Sequence, residues 1–159
     1  MICNRAAMLA TVFVLMPALA VACPVPAGAN AASAEIVRLI NAERAKARLP
    51  ALRASGKLDR AAQTQACDNA ARRVFSHVGS DGSDLATRLK RSGYRYRTAS
   101  ENTGRGFAEA ARMVNYWMQS PGHRSNILLP RTREIGVGLA LSAAPESRNH
   151  WIAVMAASK

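Results

Sequence analysis

Acidic side chains are scarce in this 159-residue sequence. Only 10 Asp and Glu stand against 22 Lys and Arg, for a formal net charge of +12 and an isoelectric point near 11.0. That imbalance raises nucleic acid, anionic lipid and acidic wall polymers as partners. The basic residues form no tail but are scattered through Arg38, Arg44, Lys46, Arg48, Arg53, Arg72, Arg73, Arg88, Lys90, Arg91, Arg95 and Arg97. Scattered charge is ordinarily a solvated surface rather than a specific groove. No helix-turn-helix, zinc-finger or aromatic RNA-binding signature accompanies it, so no nucleic-acid partner is expected. Cysteine is scarce too, with Cys3, Cys23 and Cys67 only, too few for a zinc-type cluster.

Other absences narrow the chemistry. There is no His-Glu-x-x-His metal motif and no Gly-x-Ser-x-Gly nucleophile elbow, so Ser76, Ser100 and Ser125 show no sign of activation. Gly136-Val137-Gly138 lacks the third glycine and following helix of a dinucleotide fingerprint. The Asp81 to Asp84 stretch lacks the twelve-residue ligand pattern of a calcium loop. What is present is a 49% apolar chain, long enough for one domain with a proper core.

The one long apolar run is at the start. Arg5 precedes Ala6–Ala22, and Ala20-Val21-Ala22 fits a small-x-small cleavage site before Cys23. Residues 1–22 therefore read as a signal peptide, and the run is short for a permanent membrane span. Two outcomes compete at Cys23. Ordinary cleavage would leave a soluble protein, with Cys23 free to pair with Cys67 in an oxidising compartment. Alternatively, Leu19-Ala20-Val21-Ala22-Cys23 loosely resembles a lipobox, in which an acylated Cys23 would anchor the chain to a membrane. The disulfide reading and the lipoprotein reading exclude each other.

Residues 23–32, rich in Pro, Ala and Gly, read as a flexible lead. A first helix is expected from an N-cap at Ser33 to Leu49-Pro50. A second carries Leu58, Ala61, Ala62, Gln65, Ala66, Asn69 and Ala70 on one face, and its small residues suit close approach to another element. It should end near Val74-Phe75. A polar loop holding His77 follows, with Ser83 or Asp81 capping a short helix that bears Leu85, Leu89 and a basic face of Arg88, Lys90 and Arg91. Tyr94–Thr98 reads as a half-exposed strand, and Ser100–Gly106 as a polar loop with Glu101 at the strand's end. A helix over Phe107–Gln119 with Met113, Tyr116 and Trp117 on its apolar face is stopped by Ser120-Pro121-Gly122. His123 is then expected on a forced turn. Ile135–Leu141 and Asn149–Ala156 read as strands, the first with glycines that let something approach closely. Helices first and strands last indicate an α+β fold with a small antiparallel sheet.

His77, Glu101 and His123 thus stand on three separate polar stretches, with Ser100 and Asn126 beside them. Two imidazoles and a carboxylate can hold a divalent metal such as zinc, act as an acid–base set, or line a cleft by hydrogen bonding. Their spacing does not choose among these.

Ser76-His77, Ser100-Glu101-Asn102-Thr103, Tyr116-Trp117 with Ser120-Pro121-Gly122-His123-Arg124-Ser125-Asn126-Ile127-Leu128, and Glu134-Ile135-Gly136-Val137-Gly138 come in the order of the landmarks of the CAP superfamily. This superfamily comprises the cysteine-rich secretory, antigen 5 and pathogenesis-related-1 proteins. The sequence resembles its bacterial SCP-like branch over residues 33–157. The resemblance implies a three-layer α-β-α sandwich with a central cleft holding two His and two acids. His77, Glu101 and His123 match three of those positions, and the second acid falls on Ser120. It also implies His77 and His123 as metal ligands and Glu101 and His123 as the candidate catalytic groups. The family's activities are diverse, and a fold does not fix function. The expectation is a monomeric protein, secreted, periplasmic or at the cell envelope, that binds a lipid-like or anionic ligand or a divalent metal in the cleft. The alternative is a metal-assisted hydrolase using His77, Glu101 and His123.

Overall fold

The computed structural model describes residues 23–143 and 148–159. The expected signal peptide at 1–22 lies outside the described residues, as do residues 144–147. In chain order the elements are α1 (Ala29–Lys46), β1 (Arg53–Ala54), α2 (Gly56–Arg72), α3 (Leu85–Arg91), β2 (Tyr96–Arg105), α4 (Ala110–Gln119), α5 (Pro121–Ile127), β3 (Glu134–Leu141) and β4 (Asn149–Ser158).

The strands form one sheet in the order β1-β3-β4-β2. β4 lies antiparallel to both β3 and β2. The sheet is mixed rather than purely antiparallel, because β1 pairs with β3 in parallel over Arg53/Glu134 and Ala54/Ile135. β1 leads straight into α2, which runs along β3 in the same direction, and that direction fixes the parallel pairing.

Three layers follow from the period-2 alternation of side chains in the central strand. Trp151, Ala153 and Met155 of β4 pack with Ile36, Ile40, Met113, Trp117 and Ile127, on the side of α1, α4 and α5. Ile152, Val154 and Ala156 pack with Leu58, Ala62, Ala66 and Leu89, on the side of α2 and α3. Both tryptophans are fully buried core residues.

The seating of α2 on β3 is unusually close. A Cβ at Gly136 would lie 2.1 Å from the Leu58 carbonyl carbon, and one at Gly138 would lie 2.4 Å from that of Ala62. All seven expected stripe residues of α2 are buried. Side chains of α2 then satisfy the edge of β3 beyond β1. Val137 N donates to Asp59 Oδ1 (2.9 Å), and Leu139 exchanges both its backbone bonds with the Gln63 amide (3.1 and 3.0 Å). Leu141 N donates to Pro24 O (2.8 Å). Burial raises the Asp59 pKa, opposed by that backbone donor.

Cys23 and Cys67 are joined, with Cα atoms 5.5 Å apart across 44 residues of sequence. On chain entropy such a crosslink adds about 4 kcal/mol. The bond packs against the core cluster on the α2 side and secures the incoming chain.

Several boundaries differ from the sequence expectation. α1 begins at Ala29 after a left-handed Gly28, so Ser33 is inside the helix and the end of the expected flexible lead is helical. α2 stops at Arg72, capped by Arg73 in the left-handed region. Asp84, not Ser83 or Asp81, caps α3 by accepting from Thr87 N (2.8 Å). β2 runs through the stretch expected as a loop, because Ser100–Arg105 pair continuously with Met155–His150.

Buried Arg44 at the end of α1 donates to Pro50 O (2.9 Å), Ile127 O (2.8 Å) and Leu129 O (3.1 Å). It places a cation at the C-terminal carbonyls of α5, where the helix dipole favours it. Burial, with Arg133 nearby, lowers its pKa.

Gly138→Ala should cost about 3 kcal/mol in urea denaturation, because backbone rather than a side-chain tip blocks the methyl group. Gly122→Ala has nothing within 4 Å and should change stability by less than about 1 kcal/mol. Equal effects at the two positions would refute the close-approach account.

Candidate functional site

The site is built around the free edge of β2. Successive β2 residues face opposite sides of the sheet. Glu101 turns toward α2 and α3, where it meets His77 and Arg88. Asn102 turns toward α5, where its amide donates to His123 O (3.0 Å).

His77 is placed by α2. The Gln65 and Asn69 side chains, one turn apart on the buried stripe, both donate to Ser76 O (3.0 and 2.9 Å). Arg72 donates to Val78 O (2.7 Å) and pairs with Asp68, which accepts from Ser80 N (3.0 Å). The loop is thus gripped on both sides of His77.

Both carboxylate oxygens of Glu101 are engaged. Oε2 accepts from Arg88 Nη2 at 2.6 Å, and Oε1 meets His77 Nδ1 at 2.8 Å. The Arg88 and Glu101 side chains are 1% and 3% exposed, whereas His77 is 55% exposed. Arg88 also donates to His77 O (3.0 Å) and Ser83 O (3.1 Å). A carboxylate accepts, so Nδ1 of His77 carries the proton and Nε2 is left for solvent or ligand.

His123 lies within α5 rather than on a turn, because Pro121 occupies the first helical position, which needs no N–H. Its ring stands 6.0 Å from that of Tyr116, which in turn lies 5.1 Å from Phe107. Helical spacing puts Tyr116 on the apolar face of α4, yet it is 40% exposed. Burial, with the nearby His77 charge as a smaller cause, lowers the His123 pKa.

Asn126 donates to Glu101 O (3.2 Å) and Asn102 Oδ1 (2.9 Å), so it ties α5 to the strand edge. Ser100 is buried beside them. Among the described residues Ser100 Oγ, Gln65 Oε1 and His123 Nδ1 are buried without a hydrogen-bond partner.

A resident divalent metal does not fit this donor set. Among the described residues no three His, Cys, Asp or Glu side chains are grouped to hold one. Glu101 is closed by Arg88, and Ser120 stands where the family pattern has its second acid.

Arg88 is buried, not part of the exposed basic face that the sequence suggests. Its spacing points inward all the same, since Leu85, Arg88 and Leu89 fall at i, i+3 and i+4. Gln65 and Asn69 are legible as polar breaks in an apolar stripe. Nothing in the sequence marks Asn102 as the link to α5.

Residues 37–155 match the sequence profile of the cysteine-rich secretory protein family, CAP. The chain is 34% identical over 119 residues to the uncharacterized protein YkwD of Bacillus subtilis (strain 168), covering 75% of this chain and 46% of that one. It therefore spans less than half of that relative's length. Among solved structures it is similar to an extracellular SCP-domain protein of Bacillus anthracis (TM-score 0.71, 24% identity, 80% of this chain and 40% of that one). It is also similar to an outer surface protein of Borrelia burgdorferi (TM-score 0.71, 21% identity, 79% of this chain and 92% of that one).

Glu101→Gln leaves Arg88 buried without its counter-charge and should cost about 3–5 kcal/mol by urea denaturation. Replacing both, as Arg88→Met with Glu101→Leu, should recover most of that. A single-variant loss below about 1 kcal/mol would sink the buried-pair account.

The folded state prefers neutral His123, since its pKa lies below the ordinary 6.5. Its contribution is therefore intact above that value and is lost as pH falls from it toward the depressed folded value. His123→Gln should flatten the decline in melting temperature between about pH 7 and about pH 5, and an unchanged slope would refute this.

Proposed function

Given that this chain belongs to the cysteine-rich secretory protein (CAP) family, we propose that it is an exported binding module whose cleft takes an amphipathic, lipid-like molecule with a polar or anionic head. One observation carries the reading. Four large hydrophobic side chains are exposed among the described residues, and three of them attend the site. Phe75 and Val78 bracket His77 in sequence, and the Tyr116 ring stands beside His123. Exposed apolar groups on the segments that carry the two histidines suit a binding surface. The same segments and their supports hold the partnerless buried polar atoms of Ser100, Gln65 and His123, which a ligand's head group could satisfy.

Hydrolysis finds less support. A base must be free to take a proton, and both oxygens of Glu101 are held by Arg88 and His77. Export is supported by the disulfide, which belongs to oxidising compartments. The described residues contain no helix long and apolar enough to cross a membrane. The sulfur of Cys23 is committed to Cys67, which favours ordinary cleavage over lipid anchoring.

The test is fluorescence titration with a dansyl-labelled long-chain fatty acid. Tyr116→Ala and Val78→Ser should each weaken binding by about tenfold, the value of one buried apolar side chain, with folding checked by circular dichroism. Absent saturable binding, or unchanged affinity in both variants, would overturn the reading.

A further inference from the structure

Folding gathers basic residues that are far apart in sequence at the end of the sheet where β2 begins and β4 ends. A cavity of about 620 Å³ lies between the N-terminus of α2 and the β4 end, lined by Lys57, Arg60, Arg95 and Lys159 with Tyr94. A second, of about 790 Å³, shares Gly93, Tyr94, Arg95 and Lys159 with it and adds Lys90, Tyr96 and Arg97. A third, of about 300 Å³, continues from Arg97 to Arg131 and Arg133. The first two make one groove, the third adjoins it only at Arg97, and none of the three includes His77, Arg88, Ser100, Glu101, His123 or Asn126.

The charge in this groove is strongly positive. No ion pair joins Lys57, Arg60, Lys90, Arg95, Arg97 or Lys159 to a carboxylate among the described residues; the six ion pairs there lie elsewhere. Glu134 is the one acidic side chain lining the groove; it accepts from the Tyr94 hydroxyl and offsets one of these cations. Two of the guanidinium groups are positioned by neutral acceptors instead. Arg60 donates to Ser92 O (3.1 Å) and Arg97 to Ser158 O (3.0 Å), which fixes their direction and leaves their charge. Low-dielectric walls between like charges focus the field along such a channel.

We propose that this groove is a second binding site, for an elongated phosphate-bearing glycan of the cell envelope. Two overlapping basins with cations along both, and a third beyond Arg97, suit a polymer with repeated charges rather than a single ion. Phosphates release condensed counterions when cations replace them, so exposed Lys and Arg along a track suffice for affinity. Tyr96, half-buried and flanked by Arg95 and Arg97, offers an apolar ring face for a sugar between two phosphate contacts. The Cys23–Cys67 disulfide fits an oxidising compartment, which favours envelope polymers over nucleic acids as the polyanion. This inference does not rest on the occupant of the His77 cleft.

The experiment uses phosphorylated mannan as probe, with neutral mannan, an RNA homopolymer and inorganic phosphate as comparisons, by isothermal calorimetry at low and physiological salt. Phosphorylated mannan should bind with an affinity that falls with salt. The triple variant Lys90→Gln, Arg95→Gln, Arg97→Gln should lose about tenfold or more, given several phosphate contacts, while Tyr116→Ala loses nothing. Amide shift mapping on the unaltered protein should show changes at Lys57–Arg60 and Arg95–Arg97, which keeps the test open if the triple variant folds poorly. Equal binding by the triple variant, shifts confined to other surfaces, RNA binding as tight as phosphorylated mannan, or full competition by inorganic phosphate at matched phosphate concentration would each overturn the proposal.

Discussion

The contact between α2 and β3 is the constraint from which the rest of the structure follows. Gly136 and Gly138 let the helix backbone settle against the strand, and no side chain could occupy their place. Because the helix lies that close, Asp59 and Gln63 reach the otherwise open edge of β3 and satisfy its backbone groups. An exposed strand edge is a template for unwanted pairing, and here a helix covers it. The same helix carries Gln65 and Asn69 at the depth needed to hold Ser76 O. The position of His77 is thus inherited from two glycines some sixty residues later in the chain.

On the other side of the sheet, α5 is fixed from both ends. Arg44 collects the carbonyls at its C-terminus, while Asn102 and Asn126 stitch its body to β2. The candidate site lies where these two supports meet across the strand edge. Its ionic centre is a buried Arg88–Glu101 pair extended by His77. Such a pair is poor evidence of stability by itself, since desolvation offsets much of the attraction. Its consequence here is chemical. Both oxygens of the Glu101 carboxylate are engaged, one by Arg88 and one by His77.

The protein's positive charge is divided in function as well as in space. Arg44 and Arg88 are buried and organise the fold and the cleft, each through several hydrogen bonds. Lys57, Arg60, Lys90, Arg95 and Arg97 are exposed and converge on one end of the sheet. The same excess of Arg and Lys therefore supports two different surfaces, one amphipathic and one polyanion-binding in our reading.

Sequence by itself determined the parts that depend on local periodicity and on backbone chemistry. The α2 stripe from Leu58 to Ala70, the glycines of β3 and the α+β class with its flanking helices were all readable, because spacing along an element dictates which face is buried. His77, Glu101 and His123 could be named as candidates, but not joined. Only the tertiary structure decided that Glu101 lies in mid-strand, since a polar run such as Ser100–Arg105 becomes a strand only when Met155–His150 pair with it. Only the tertiary structure turned Arg88 inward onto Glu101, put Tyr116 at the rim, and drew scattered cations into a groove. These are contacts between residues distant in the chain, and no local pattern encodes a distance that is set by how layers pack.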